Sequence, residues 1–226
     1  MKKYILTAAI FSFVTISHAQ IEKNVGDFAS LKTTNRIKIE LIPSDENKIV
    51  VKESQEDAVS ITNKNGRLVL KNTLKELVTE GEYSVTLQVY FKDLKEIDAQ
   101  GGSYIYAEKP IVQESLKLNA NVGSTIEGSL KVDNLNASAN TGAKLILKGS
   151  VSKSVKLSGS AGAQITANEL TSPRTKIVVN SGSNASVTAT EFVDAQVIAG
   201  GKIKIYGNPK DVKEKVSVGG TIERVK

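Results

Sequence analysis

The sequence predicts an all-β protein: a parallel β-helix of about 20 residues per coil over residues 95–226, behind an antiparallel β portion over residues 20–94. Three observations carry this prediction. Gly102, Gly123, Gly142, Gly162, Gly182, Gly200 and Gly219 recur at intervals of 21, 19, 20, 20, 18 and 19 residues. Three residues after each comes Ile105, Ile126, Leu145, Ile165, Ala185, Ile203 or Ile222, and three before comes Ala99, Ala120, Ala139, Gly159, Val179, Val197 or Val216. Outside the first 19 residues, no amphipathic helix of useful length appears; apolar and polar residues alternate at period two instead.

Residues 1–19 read as a removable export signal. Lys2 and Lys3 open it, an apolar stretch follows from Tyr4 to Ile16, and Ser17-His18-Ala19 forms a small-x-small cleavage site before Gln20. That stretch is too short for a bilayer span, which takes about 20 apolar residues. In residues 25–94, Arg36-Ile37-Lys38-Ile39-Glu40-Leu41, Lys48 to Lys52 and Glu82 to Val89 alternate as strands. Asn63-Lys64-Asn65-Gly66 between two strand-like runs is a hairpin signal, and Pro43-Ser44-Asp45 is a turn. Leu74 to Val78 allows at most one helical turn.

From residue 95 on, each repeat is too short for a strand–helix–strand unit and cannot bury a face alone. Coils must therefore stack at the strand spacing of about 4.8 Å, giving a rod on the order of 30 Å long. Small residues at one inward offset and Ile or Leu at the other fill a narrow interior, and glycine turns each corner. A β-sandwich would explain the strands but not the fixed glycine offset. The antiparallel portion covers the first coil. Lys213, Glu214, Lys215, Glu223, Arg224 and Lys226 place charge on the last, where an open edge would invite pairing.

Composition narrows the chemistry. The chain has 30 Lys+Arg against 24 Asp+Glu, one His, one Met, and no Cys or Trp. Removing the leader takes away Lys2, Lys3, His18 and Met1, leaving 207 residues with 28 basic against 24 acidic, a net +4. Without His or Cys there is no Ser–His–Asp or Cys–His nucleophile, no zinc, copper or haem ligand set, and no disulfide. No metal or cofactor is expected, nor a lipid-bearing cysteine. The charge is too mild to imply nucleic acid. No transmembrane span is expected in the exported chain, which belongs in the periplasm, on the outer membrane or outside the cell.

Several segments together resemble the bacterial family known as the putative auto-transporter adhesin, head GIN domain. They are Val25-Gly26-Asp27-Phe28, the run Ile37 to Pro43, Arg67-Leu68-Val69-Leu70, the junction Phe91 to Gly102, and the repeated Gly-Ser or Gly-Ala pairs. The resemblance implies a right-handed β-helix behind an antiparallel N-terminal portion, exported and associated with the cell envelope, most often in Bacteroidetes-type bacteria. The family name implies adhesion and brings no catalytic signature.

Two outward features are candidate binding sites. Gln100, Asn121, Asn140, Ser160 and Asn180, two residues before their glycines, form a polar ladder. Such a ladder offers donors and acceptors to sugar hydroxyls, but its favoured reading is that it bonds along the stack and stabilises it. Tyr104 and Tyr106 alternate on the first coil, suited to stacking on sugars or anchoring an interface; packing at the junction with the N-terminal portion is the favoured reading there too. Acids are scattered: Glu127 and Glu223 lie five coils apart, roughly 24 Å, whereas glycoside hydrolysis needs two carboxyls within about 10 Å. Asp133, Asp194 and Asp211 lie in loops. The chain is thus expected to be a non-enzymatic envelope module that binds glycans or cell-surface components. The alternatives are a structural spacer or protein-docking solenoid and, third, a polysaccharide-active enzyme.

Overall fold

Alternating burial marks almost every strand of the computed structural model, which describes residues 20–73, 83 and 85–225. The expected export signal and the Leu74 to Val78 turn lie outside the described residues. The N-terminal portion comprises β1 (Gln20–Asn24), β2 (Ser30–Thr34), β3 (Ile37–Pro43), β4 (Lys48–Lys52), a 3-10 helix (Glu53–Ala58), β5 (Val59–Lys64), β6 (Arg67–Asn72) and β7 (Val85–Phe91). β8 (Glu96–Ala99), β9 (Tyr104–Asn121), β10 (Thr125–Asn140), β11 (Lys144–Ser160), β12 (Gln164–Val179), β13 (Asn184–Tyr206) and β14 (Asp211–Arg224) follow. From β9 to β14 every neighbouring pair is parallel, and the stack makes a β-solenoid of about six turns.

Each corner is a pair of left-handed residues. Val122 and Gly123 have φ of 51° and 67°, Thr141 and Gly142 53° and 69°, Ala161 and Gly162 52° and 74°, Ser181 and Gly182 50° and 75°. Two successive positive φ values make a type I′-like turn, and glycine in the second place avoids the Cβ clash. The corners also pair with one another. Gly102 N–H donates to Val122 O at 2.9 Å, Gly123 to Thr141 O at 3.0 Å and Gly142 to Ala161 O at 3.0 Å. Backbone bonding therefore runs through the bend, leaving no buried donor orphaned there. The buried residue after the glycine closes the turn where it is serine: Ser124 Oγ–H donates to Ala99 O and accepts Asn121 N–H, each at 2.8 Å.

Register stacks the interior into columns. Leu68, Leu31, Ile97, Leu118, Ala137, Leu157, Ile177 and Ala195 are consecutive partners, and all are buried. A second column contains Leu87, Ile39, Ile105, Ile126, Leu145, Ile165 and Ala185. Burying each such Leu or Ile contributes about 1.5–3 kcal/mol. Facing volumes compensate. Gly159 faces Ile165, whose Cδ1 lies 3.4 Å from where a glycine Cβ would stand, and the next coil pairs the larger Val179 with the smaller Ala185.

Parallel stacking begins earlier than the change in composition. β2 pairs parallel with β6 and β8, and β3 with β7 and β9, so two further layers precede the first glycine-marked coil. Asn35 and Arg36, φ 67° and 53°, form the corner between β2 and β3, and Arg36 N–H donates to Gly101 O at 2.9 Å. Period-two alternation marks a strand without giving its direction, and this corner has no glycine. The antiparallel pairs are β1 with β4, β4 with β7, and β5 with β6 through the Asn65–Gly66 hairpin.

The other end is built differently. Val216 occupies an inward offset of β14, stacked on the buried Val197, yet is 46% exposed on the open side of the last coil. Glu214 and Arg224 also take inward offsets, stacked on the buried Ala195 and Ile205, and Arg224 Nε–H donates to Glu214 Oε1 at 2.7 Å. An ion pair thus lies where two core residues would otherwise continue their columns, the inward-charge device that blunts sheet edges.

Two outcomes follow from this packing. A Cβ at Gly149, with φ at 106°, would run into the Leu130 carbonyl oxygen, whereas nothing lies within 4 Å of one at Gly142. Gly149→Ala should cost about 3 kcal/mol and Gly142→Ala about 1 kcal/mol in guanidinium unfolding. Replacing the end pair by Glu214→Val with Arg224→Leu should raise concentration-dependent self-association above that of the wild type in sedimentation velocity, because the last coil then offers an apolar, unpaired edge.

Candidate functional site

Outward residues of β3 and of the first parts of β9 to β13 share one face of the solenoid. Lys38, Tyr104, Thr125, Lys144, Gln164 and Asn184 are consecutive partners on it, as are Glu40, Tyr106, Glu127, Ile146, Thr166 and Ser186. Tyr104 and Tyr106 therefore stand side by side near the N-terminal end. Their rings stack at 5.5 Å and 17°, and Tyr83 stacks on Tyr104 at 6.0 Å and 27°. Lys38 Nζ lies 5.8 Å from the Tyr104 ring centre and 5.5 Å from that of Tyr106, within cation–π range.

The phenols are anchored. Tyr104 Oη–H donates to Glu127 Oε2 at 2.8 Å, and Gln88 Nε2–H donates to Glu40 Oε2 at 2.9 Å beside Tyr106. Burial first, then the hydrogen bond and charge of Glu127, push the Tyr104 phenol up to about 12. Burial and the Glu40 carboxylate raise Tyr106, and burial raises Tyr83 against the pull of Arg36. The cluster joins a residue of the N-terminal portion to the first coil.

The polar ladder lies on the other side of the glycine corner. Asn140 Nδ2–H donates to Asn121 Oδ1 at 3.1 Å and Ser160 Oγ–H to Asn140 Oδ1 at 2.8 Å. Asn180 turns to its own strand end, its Oδ1 accepting Ser181 N–H at 2.8 Å, and Gln100 bonds Asp98 at 3.1 Å. The three central members thus satisfy one another along the stack. The two candidate features stand on opposite sides of the glycine corners and do not form one site. Asp98, nearly buried, is held by Arg67 at 3.4 Å and Lys32 at 3.8 Å.

The tyrosine-bearing face continues into a second polar array. Gln164, Thr166, Asn184, Ser186, Lys202 and Lys204 line a shallow hollow of about 400 Å³. Among the described residues, the side chains of Gln164, Thr166, Asn184 and Lys204 have no hydrogen bond or ion pair, while Lys202 pairs with Glu223 at 2.7 Å. A hollow of similar volume at the N-terminal end is internally matched: Lys48 binds Glu22 and Glu46, and Asn47 donates to Asp27.

Among the described residues most acids stand in separate ion pairs or hydrogen bonds. Glu40 and Glu127 flank Tyr106, two strand spacings or roughly 10 Å apart, each already accepting a hydrogen bond. Sequence reasoning missed this juxtaposition because Glu40 lies before the repeats. Asp133 binds Ser152 and Lys153, which hold its carboxyl low, and Asp194 binds Lys176. No group of three or more His, Cys, Asp or Glu among the described residues is placed to hold a metal ion.

A family described as "Putative auto-transporter adhesin, head GIN domain" matches residues 27–209. The chain belongs to this family. Among solved structures it is similar to a putative adhesin of Bacteroides fragilis, with TM-score 0.83 and 16% identity over 93% of this chain and 98% of that one. It is also similar to a putative adhesin of Parabacteroides merdae, with TM-score 0.66 and 22% identity over 92% and 96% of the two chains. A protein of Parabacteroides distasonis described as a putative lipid binding protein gives 0.65 and 18% over 92% and 96%. At these identities the likeness is one of fold. No curated protein sequence matches significantly.

The anchored phenol has a measurable signature. In alkaline spectrophotometric titration, one tyrosine should ionise near pH 12 and be missing from Tyr104→Phe. The fold holds this proton more tightly than the unfolded chain, whose phenol titrates near 10.0. The stability it adds is complete below about pH 10 and lost as the pH rises toward 12.

Proposed function

We propose that the chain is an exported, non-enzymatic cell-envelope protein that binds glycans or other surface components through the tyrosine-bearing face of its solenoid. One observation carries this reading: that face runs from an ordered aromatic cluster to amide, hydroxyl and ammonium groups without internal partners. Such groups retain their full capacity for hydroxyl-rich ligands, and parallel stacking holds them in place without the ordering cost of a loop. The family description and the adhesin names of two solved relatives support the same direction. No helix among the described residues is long and apolar enough to cross a membrane. The leader-like residues 1–19 support export.

A second reading, a spacer or protein-docking rod, draws on the Asn121–Asn140–Ser160 ladder, whose bonds along the stack serve the rod itself.

A glycan-array screen of the purified protein decides between them. Binding is expected, and Tyr104→Ala with Tyr106→Ala should weaken it about tenfold or more, the loss of about 1.4 kcal/mol typical of an aromatic anchor. A blank array from protein shown by circular dichroism to be folded overturns the recognition reading and leaves the spacer.

A further inference from the structure

The hollow three coils along from the tyrosines differs in character from the ladder beside the glycine corners. Where Asn121, Asn140 and Ser160 bond to one another, Gln164 and Asn184 stack as partners and make no such bond. The cations around them are only partly matched. Glu223 pairs with Lys202 at 2.7 Å and stands in register with Lys204, so one carboxylate serves both, while Lys144, in register with Gln164 on the other rim, has no acidic partner. Free amides beside three ammonium groups that share a single carboxylate call for a ligand with both hydroxyls and negative charge.

We propose that this hollow, formed by Gln164, Thr166, Asn184, Ser186, Lys202 and Lys204 with Lys144 at its edge, seats a carboxylate-bearing oligosaccharide lying along the solenoid axis. The assignment rests on the recognition reading above and adds the ligand class and the place. Equal offsets recur at the strand spacing of about 4.8 Å, close to the length of one pyranose unit, so successive sugars meet successive coils in the same register. Amides and hydroxyls donate to and accept from sugar hydroxyls, and the ammonium groups take the carboxylates. Its volume of about 400 Å³ falls within the range of ligand sites, from about 300 Å³ upward. Its shallowness leaves both ends open, as a chain passing through requires.

Calorimetric titration of the full protein with oligogalacturonate, against a neutral cello-oligosaccharide of equal length, tests the proposal. The acidic chain should bind at least tenfold tighter, and salt should narrow the gap. Lys144→Ala with Lys204→Ala should erase the preference while leaving the weaker neutral binding. Tyr104→Ala with Tyr106→Ala should lower both affinities together and keep their ratio. Equal binding of the two saccharides, neutral binding alone, or a preference that survives loss of both lysines overturns the acidic-saccharide site while the recognition reading stands. Binding to anionic phospholipid vesicles with none to oligogalacturonate overturns it in favour of a headgroup surface. If neither saccharide binds and the array is also blank, the recognition reading falls with it.

Discussion

Everything in this molecule depends on in-register parallel pairing that continues around the glycine corners. A coil of this length cannot bury an apolar face by itself, so each must find its partners on the coils above and below. A slip of one residue would turn every inward side chain outward. The Val122–Gly123, Thr141–Gly142, Ala161–Gly162 and Ser181–Gly182 pairs prevent the slip by fixing where each coil bends, and their backbone bonds tie one bend to the next. Columns such as Ile105, Ile126, Leu145 and Ile165, and the outward rows facing them, are consequences of that registration.

A stack with only nearest-neighbour contacts is weakest where a neighbour is missing. At the N-terminal end, β4 and β1 prolong one edge beyond β7, and β5 prolongs the other beyond β6, all antiparallel. The Tyr83–Tyr104–Tyr106 stack with Lys38 crosses from this portion to the first coil, so its rings reinforce a junction whatever else they touch. At the other end, Glu214 and Arg224 interrupt the core columns with an exposed pair of opposite charges. An exposed pair adds little stability; its effect is on pairing, since another coil would have to cover two charges.

The repeat architecture was legible because a stacked fold writes its geometry at constant offsets. The glycine turns each corner in the left-handed region, and the small and large residues three to either side are buried as that logic requires, apart from the open last coil. The two earliest parallel layers were hidden. Their corner is Asn35–Arg36, with a residue that strains in the left-handed region where glycine would have announced the turn. Gly149 was missed for the opposite reason: its φ of 106° answers to the Leu130 carbonyl of the coil beneath, a contact no spacing reveals. Of the candidate site, the tyrosines' shared face followed from their alternation. That Tyr83 and Glu40 would meet them did not, since both come from strands far away in sequence.

The two polar faces show what separates a structural ladder from a surface free to bind. Both are built from amides and hydroxyls at the same coil spacing, so composition alone assigns them the same role. Short polar side chains, Asn121, then Asn140 and Ser160, meet donor to acceptor and consume their own capacity. Along the other face the row reads Lys144, Gln164, Asn184 in register, and side chains of unequal length and charge find no match in the coil above. In a solenoid, regular stacking satisfies any polar row that is itself regular. Binding capacity is left where the outward row departs from the repeat while the backbone keeps to it, and the hollow around Gln164 and Asn184 is such a place, with a concave floor besides.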